Sequence, residues 1–393
     1  MFPMTASAVP LLMQAFGDAP EVTTSVLRFM GEFVTNKSQR LSFEMSSPNG
    51  ILLFREASKV IVTHAKTVLS IPRTSDEYRY KYKGIWLCLT ILSKALGGNF
   101  CNFGVFDLYG DRALADSLEA AVRMLLVVPL QDILAYRKVA RAYYALLEVV
   151  AGNHASFLAG NDSPTFAFFL LSIEAGLRSL DERISSQCAA SLDSLVSFYF
   201  KHILSPEDSE TWPGMFGGRQ PTVRRPTLGG RGAAFASTCH DSVPVPRQQG
   251  PYAKERAAAA RVGEHLSKMD PQVLPGLLRT LLELSVFEDS PNQWSLSRPM
   301  LPLILVAGDG ALRELSGQLV AAQPREMQAQ VSTGASTFRP LCEMLTRVCF
   351  CPRLQIAQCL EGLMKEVEKT LEPKNRDKFT QNLAVCRHDI KKI

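Results

Sequence analysis

No apolar run in this 393-residue chain approaches the ~18 residues that a membrane-spanning helix requires. The longest candidates, near Met124–Leu130 and Leu301–Ala307, are short and contain proline, so no membrane insertion is expected. A large excess of either charge is also missing: 43 Lys and Arg stand against 38 Asp and Glu, a net of +5. The basic residues are mostly interleaved with acids, which argues against a direct nucleic-acid footprint. The opening Met1-Phe-Pro-Met-Thr-Ala6 lacks the basic segment of a secretory signal. The nine cysteines, an odd number scattered along the chain, therefore read as reduced, mostly buried small hydrophobes of a cytosolic or nuclear protein.

Catalytic signatures are missing too. Neither a G-x-S-x-G elbow nor an H-E-x-x-H helix is present. Gly229-Gly-Arg-Gly232 lacks both the Lys-Ser/Thr end of a phosphate-binding loop and a preceding strand. The segment Gly97–Gly110 is no dinucleotide fingerprint; it reads as a helix–helix connection that buries Phe100, Phe103, Phe106 and Tyr109. Cys342, Cys349, Cys351 and Cys359 match no zinc spacing and have no histidine nearby. Cys239-His240 has no Asn, Asp or oxyanion-hole motif to support a nucleophile pair. The six histidines are isolated, and His64, His154 and His202 fall at helix positions that suit surface or capping roles. No catalytic residue, cofactor or metal site is expected, and an all-α enzyme is the least supported class.

What is present is helical periodicity, in a chain that is 46% apolar and 21% charged. Leu114, Leu118, Ala121, Leu125 and Val128 form one stripe, with Asp116, Glu119 and Arg123 on the other side. Ile51, Phe54, Ile61, Ala65, Val68 and Leu69 form a second. Ile184, Cys188, Leu192, Leu195, Tyr199 and Ile203 form a third, and Ile356, Leu360, Leu363, Val367 and Leu371 a fourth. No series of alternating strands accompanies them. Breakers such as Pro20, Pro48-Asn-Gly50, Gly97-Gly98, Pro129, Pro164, Pro271, Pro291 and Pro373 cut the pattern into helices that pair up. The pairs are 4–16 with 20–36, 50–70 with 76–97, 111–128 with 130–151, and 164–180 with 183–204. They continue as 253–269 with 271–288, 293–306 with 309–323, and 356–371 with 376–390. Pair starts recur roughly every 45–60 residues, near or above the HEAT period of about 40–47. One such pair cannot bury its apolar face alone, and stacking neighbours does. The fold expected is an all-α, HEAT-like solenoid of antiparallel helix pairs, coiled as a right-handed superhelix.

Two segments interrupt the array. Residues 205–251 hold seven Pro and seven Gly, the composition of a long disordered loop. Between Gly214 and Gly250 lie five Arg and one Asp, so a basic contact is the functional counterpart to a bland solvated insert. Residues 331–355 carry three cysteines and have no evident reason to exist. An unspliced intron would account for them, since Val331-Ser332 can be encoded as a splice donor and Leu354-Gln355 as an acceptor; sequencing the transcript decides. The organisation expected is therefore helical repeats over 1–204, an insert at 205–251, repeats over 252–330, an atypical insert at 331–355, and C-terminal helices over 356–393.

The stretch Phe287–Leu305 places a Trp, an Arg and three Pro at the joint between two helical patterns. Trp294 and Arg298 are one turn apart and can share a face. The expectation is a packed corner, with Trp294 filling the gap between repeats and Arg298 bonding carbonyls at a helix end. The alternative is an exposed aromatic anchor.

This joint resembles the exportin-7 branch of the importin-β family of nuclear transport receptors. So do Phe2–Phe16, Ser47–Glu56, Asn102–Phe106 with Leu108–Asp111, Tyr143–Glu148 and Lys374–Leu383, in the family's order and nearly end to end. The resemblance covers the C-terminal third of the family's chains. It implies a receptor that carries protein cargo through nuclear pores under control of Ran-GTP, shuttling between nucleus and cytoplasm and meeting nuclear pore proteins. It also implies that the main Ran contacts belong to an N-terminal arch not represented here, so no Ran-contact residue is carried over. The reading from another class is a helical scaffold or adaptor with no Ran dependence, because fold does not fix function.

Overall fold

The computed structural model describes residues 2–17, 19–35, 48–72, 74–98, 101–204, 251–288, 291–322, 359–360 and 362–391. The 331–355 insert, nearly all of 205–251, and the candidates Cys239-His240, Gly229–Gly232, Cys342, Cys349 and Cys351 lie outside the described residues. Among the described residues there are helices and turns but no strand.

Helices α1 (Phe2–Ala15) and α2 (Pro20–Thr35) open the array. Then come α3 (Asn49–Ser70) and α4 (Lys83–Gly97), with a π-helical turn at Tyr78–Tyr82 leading into α4. The third pair is α6 (Ala113–Leu126) and α8 (Arg137–Asn153), joined by the short α7 (Leu130–Ala135) and preceded by the short α5 (Gly104–Leu108). The fourth is α10 (Ser163–Leu177) and α11 (Glu182–Tyr199), after the short α9 (Ala155–Ala159). Beyond residue 250 lie α12 (Pro251–Lys268), α13 (Val273–Leu282), α14 (Gln293–Ser297), α15 (Met300–Ala307), α16 (Asp309–Ala322) and α17 (Pro373–Ile390).

The helices stack in two layers. In one, α1 packs on α3 and α3 on α6; in the other, α2 packs on α4, α4 on α8 and α8 on α11. This is a helical-repeat solenoid. The inner helices of the stack show why a single pair could not stand alone. Nine of the fifteen residues of α4 are buried, among them Ile85, Leu87, Cys88, Leu89, Ile91 and Leu92, because α2 covers one flank and α8 another. The stripe on α6 behaves as its spacing requires: Leu118, Ala121, Leu125 and Val128 are buried, while Glu119 and Arg123 are exposed. Ile184, Cys188, Leu192 and Leu195 of α11 are likewise buried.

The structure corrects several expectations. The helix expected over 130–151 breaks at Tyr136, which adopts ψ 95°. Its ring stacks on Tyr78 at 5.1 Å and meets Tyr82 edge-on at 5.4 Å, so an aromatic cluster holds the kink. The helix expected over 293–306 divides into α14 and α15 at Pro299, which has no amide to donate. The stripe expected over 356–371 is helical at Cys359 and Leu360 but not from Gly362 onward. Leu360 and Leu363 are buried, but beyond Leu360 there is just a 3₁₀ turn at Gly362–Met364, and Glu366 then takes a left-handed φ of 59°. The Asn382 amide of α17 donates to the carbonyls of Leu363 (3.1 Å) and Lys365 (2.8 Å), satisfying groups that a continued helix would have used. Leu69 ends the second stripe exposed to solvent. In the connection after α4, Phe106 is buried and Phe103 packs on the core, but Tyr109 points out; Phe100 lies outside the described residues.

Candidate interaction surface

Among the described residues, the best-formed interior voids are too small for a small-molecule site. Two apolar voids, one lined by α6, α8 and α10 and one by α10, α11 and α12, each hold about 20 Å³. Ligand pockets run to roughly 300–1,000 Å³. Among the described residues no group of three or more His, Cys, Asp or Glu could hold a metal ion. Cys88, Cys188 and Cys386 are free and buried, and Cys101 and Cys359 are free and half-buried. Burial pushes the Cys101 thiol up to about 11 and Cys386 to about 12, so these groups are un-ionised at neutral pH.

Four of the described histidines are core or seam residues, while His388 is exposed. His64 is buried in α3 rather than at the surface, and neither ring nitrogen has a hydrogen-bond partner. It lies against Gly84 of α4, where a Cβ would come within 2.6 Å of its Cε1 and closer still to Nε2. Desolvation lowers its pKa to about 4. His154 meets Phe103 edge-on at 5.7 Å, and burial lowers its pKa as well. His202 lies on Phe198 with Glu255 Oε2 3.7 Å away, and burial outweighs that carboxylate to lower its pKa. None of the three is an exposed surface histidine, but His154 does take the expected capping place, between the end of α8 and the start of α9. Sequence reasoning passed over His265. Its Nε2 donates to the Ala159 carbonyl at 3.1 Å, its Nδ1 accepts from Ser163 Oγ at 2.9 Å, and its ring stacks on Phe166 at 4.9 Å. It pins α12 to α9 and α10, a partnership across about 100 residues that no local spacing could reveal.

Part of the outward-facing chemistry lies near the ends where the two helices of a pair are joined, while Leu11, Phe29, Leu52 and Leu171 are exposed elsewhere. Side-chain contacts link these joints from pair to pair. Arg79 bonds Glu21, and Tyr82 donates to Asp132 at 2.6 Å. Arg141 bonds Asp181 at 2.8 Å, with Arg137 at 3.8 Å. Arg178 reaches Thr280 at 2.8 Å and Glu283 at 3.2 Å. Burial works to raise the Asp181 carboxyl, but the hydrogen bond and charge of Arg141 outweigh it and hold it below its usual range. Between these links stand exposed apolar side chains: Phe16, Leu69, Tyr80, Leu126, Val127 and Leu180. A mixed arginine and apolar edge of this kind suits protein contacts, which favour aromatic groups and Arg. The sequence signal for it was faint, a few apolar residues that fall beyond the ends of the stripes.

Trp294 does not fill a gap between repeats. It is 66% exposed, and the Arg298 guanidinium lies over its ring at 4.9 Å while also approaching Asp193 at 3.8 Å. The one-turn spacing did bring the two together, but the corner expected as packed is open. The neighbouring Asn292 takes up the buried polar role instead, donating to Ser185 and Ser186 of α11 at 3.2 and 3.0 Å.

No family model matches the chain. Individual relatives do. The chain is 37% identical over 393 residues to Ran-binding protein 17 of Homo sapiens, covering 98% of this chain and 30% of the relative. It is 36% identical over 388 residues to exportin-7-B of Xenopus laevis, covering 97% and 29%. The match to exportin-7 of Dictyostelium discoideum is 24% over 383 residues, 97% of this chain and 31% of the relative. The chain thus spans about 30% of the length of these relatives, in their C-terminal portion.

Proposed function

We propose that this chain, a homologue of the C-terminal portion of exportin-7 and Ran-binding protein 17, works as part of a nuclear export receptor that carries protein cargo through the nuclear pore under control of Ran-GTP. The observation that supports it is the similarity that covers 97–98% of the chain, joined to a solenoid of paired helices. Such arrays flex across repeat junctions and offer long surfaces, which suits a receptor that must take up and release partners. In this reading the chain is not an enzyme, Ran-GTP is gripped through the receptor's N-terminal region, and nuclear pore proteins meet the receptor during passage between nucleus and cytoplasm. The arginine and apolar edge is the part of this chain best suited to protein contact. The test is a Ran-GTP-dependent interaction screen on a receptor carrying this region in its natural place. Cargo recovered with Ran-GTP and lost with Ran-GDP supports the reading; identical recovery with either nucleotide overturns it in favour of a scaffold. The 393 residues alone are expected to bind Ran-GTP weakly, and tight GTP-dependent capture by them refutes the division of labour.

A further inference from the structure

Trp294 and Arg298 stand at a seam where α11, α14 and α17 meet. Asp193 of α11 is shared across it. Its Oδ1 accepts from Arg376 Nη1 at 2.8 Å and from Ser197 Oγ at 3.2 Å, while Oδ2 faces Arg298 at 3.8 Å. Arg376 is pinned in place, because its Nη2 also donates to Ser197 Oγ at 2.8 Å. Lys201, in the π-helical turn Phe200–Leu204 that continues α11, feels both Arg376 and Asp193. Burial first, and then the Arg376 charge, hold its ammonium below the usual lysine range. Three cations thus surround Asp193. Arg387 of α17 brings a further guanidinium to Gln293, the neighbour of Trp294.

Arg298 is held differently from Arg376. Its side chain is 49% exposed, and among the described residues its guanidinium donates no hydrogen bond. Stacking over Trp294 at 4.9 Å orients the group without using its N–H donors, which lie in its plane. The indole itself is 66% exposed. Trp and Arg are the residues that most often anchor protein interfaces, and a carboxylate matches the arginine fork in two parallel bonds.

We propose that this α11–α14–α17 seam docks an acidic segment of a partner protein, which sets a carboxylate on the Arg298 fork and an apolar side chain against Trp294. Charge complementarity commits the occupant: a basic partner would add a cation to those that already share Asp193. A nucleic-acid strand fits less well. Single strands ask for successive aromatic platforms, and the one here already carries Arg298 over its ring. The seam lies in the second half of α11, away from the Arg141–Asp181 link at its start.

The probe is a fluorescein-labelled peptide of Asp and Glu around one central Phe, titrated with the 393-residue chain and read by anisotropy. Binding is expected, weakening as salt rises, with slowed amide exchange over 291–298. Arg298→Glu and Trp294→Ala should each weaken it by about tenfold or more, the scale of an interface anchor. Arg298→Lys keeps the charge but not the fork, and should retain only part of the affinity. Arg123→Glu, at an exposed site on α6, makes the same change of charge and leaves binding unaltered. Unaltered melting of each variant checks its fold, and the wild-type exchange pattern tests the proposal even if a variant melts early. Absence of binding, equal binding of the Asn and Gln counterpart of the peptide, equal losses in Arg298→Glu and Arg123→Glu, or protection elsewhere than 291–298 would overturn it. So would tighter binding of oligouridylate at the same salt, which would assign the seam to nucleic acid. Neither Ran nor its nucleotide enters the assay, so its outcome stands apart from that of the transport reading.

Discussion

The contact between His64 and Gly84 allows a sign-reversing test of how the first repeats pack. Gly84 is the second residue of α4, but the π-helical turn before it keeps the backbone helical, so Ala would ordinarily be favoured by about 1 kcal/mol. Here the added methyl meets the His64 ring, within 2.6 Å of Cε1. The ring is buried and cannot simply swing into solvent. Overpacking of this kind costs about 1–3 kcal/mol, so Gly84→Ala is expected to destabilise by about 1–2 kcal/mol net. In a His64→Ala background the obstruction is gone, and the same change should stabilise by about 1 kcal/mol, a coupling of about 2–3 kcal/mol. His64→Ala itself should cost less than the usual aromatic truncation, because it also removes two buried nitrogens that have no partner.

The same histidine gives a pH signature. Its folded pKa of about 4 lies below the ordinary 6.5, and the cause is desolvation. Above pH 6.5 the ring is neutral in both states and no stability depends on its charge. As pH falls from 6.5 toward 4, the unfolded chain takes up a proton that the folded chain excludes, and up to about 3 kcal/mol is lost. The difference in stability between wild type and His64→Ala should therefore change across that window and level off on either side. Hydrogen exchange in α3 and α4 is the suitable readout, since a long array need not unfold in one step. If Gly84→Ala raises stability with His64 in place, or the two variants shift equally between pH 7 and 4, the packing argued here is wrong.

Three further outcomes follow from named contacts. Gly176→Ala in α10 drives a methyl against Cys188 Sγ and within 2.7 Å of the Tyr144 ring, so melting should fall, by about 1–3 kcal/mol, with partial relief in a Cys188→Ala background. Gly276→Ala in α13, where nothing lies within 4 Å, should instead raise stability by about 0.5–1 kcal/mol, measured by the same melt. Arg376 fastens α17 to α11 through Asp193 at 2.8 Å and Ser197 at 2.8 Å; Arg376→Ala should speed amide exchange in α17 by about tenfold while leaving α4 and α8 unaffected.

The sequence carried the helices better than their neighbours. The α6 and α11 stripes were legible because 3.6-residue periodicity is a local property, and the proline and glycine punctuation marked most ends. Misreadings arose where a distant group decided the outcome. Tyr136 breaks its helix because Tyr78 and Tyr82, more than fifty residues earlier, capture its ring. The 362–371 segment loses its helix where α17 supplies Asn382. His64 looked like a surface residue because nothing in its own helix announces that Gly84 leaves space for an imidazole. Trp294 was placed beside Arg298 correctly, yet spacing within one helix cannot say whether that side meets a neighbour or water.

The seams between repeats are not alike. Along α2, α4, α8 and α11 the junctions are apolar, with Leu27, Ile85, Leu89, Tyr144 and Leu192 wholly or almost wholly buried. Past α11 apolar packing continues, with Leu277, Leu281, Met300 and Leu301 buried, and polar links accompany it: His265 to Ser163 and Ala159, Arg178 to Thr280 and Glu283, Asn292 to Ser185 and Ser186, and Arg376 to Asp193. Burial works to raise the Glu283 carboxyl, but Arg279 and Arg178 outweigh it and hold it below its usual range, a sign that the link is electrostatic. Partly exposed pairs of this type contribute about 1 kcal/mol or less each and weaken with salt. Raised salt should therefore weaken these polar links before it touches the apolar packing beneath them, read as faster amide exchange at the ends of α13 and α17 than in α4 and α8.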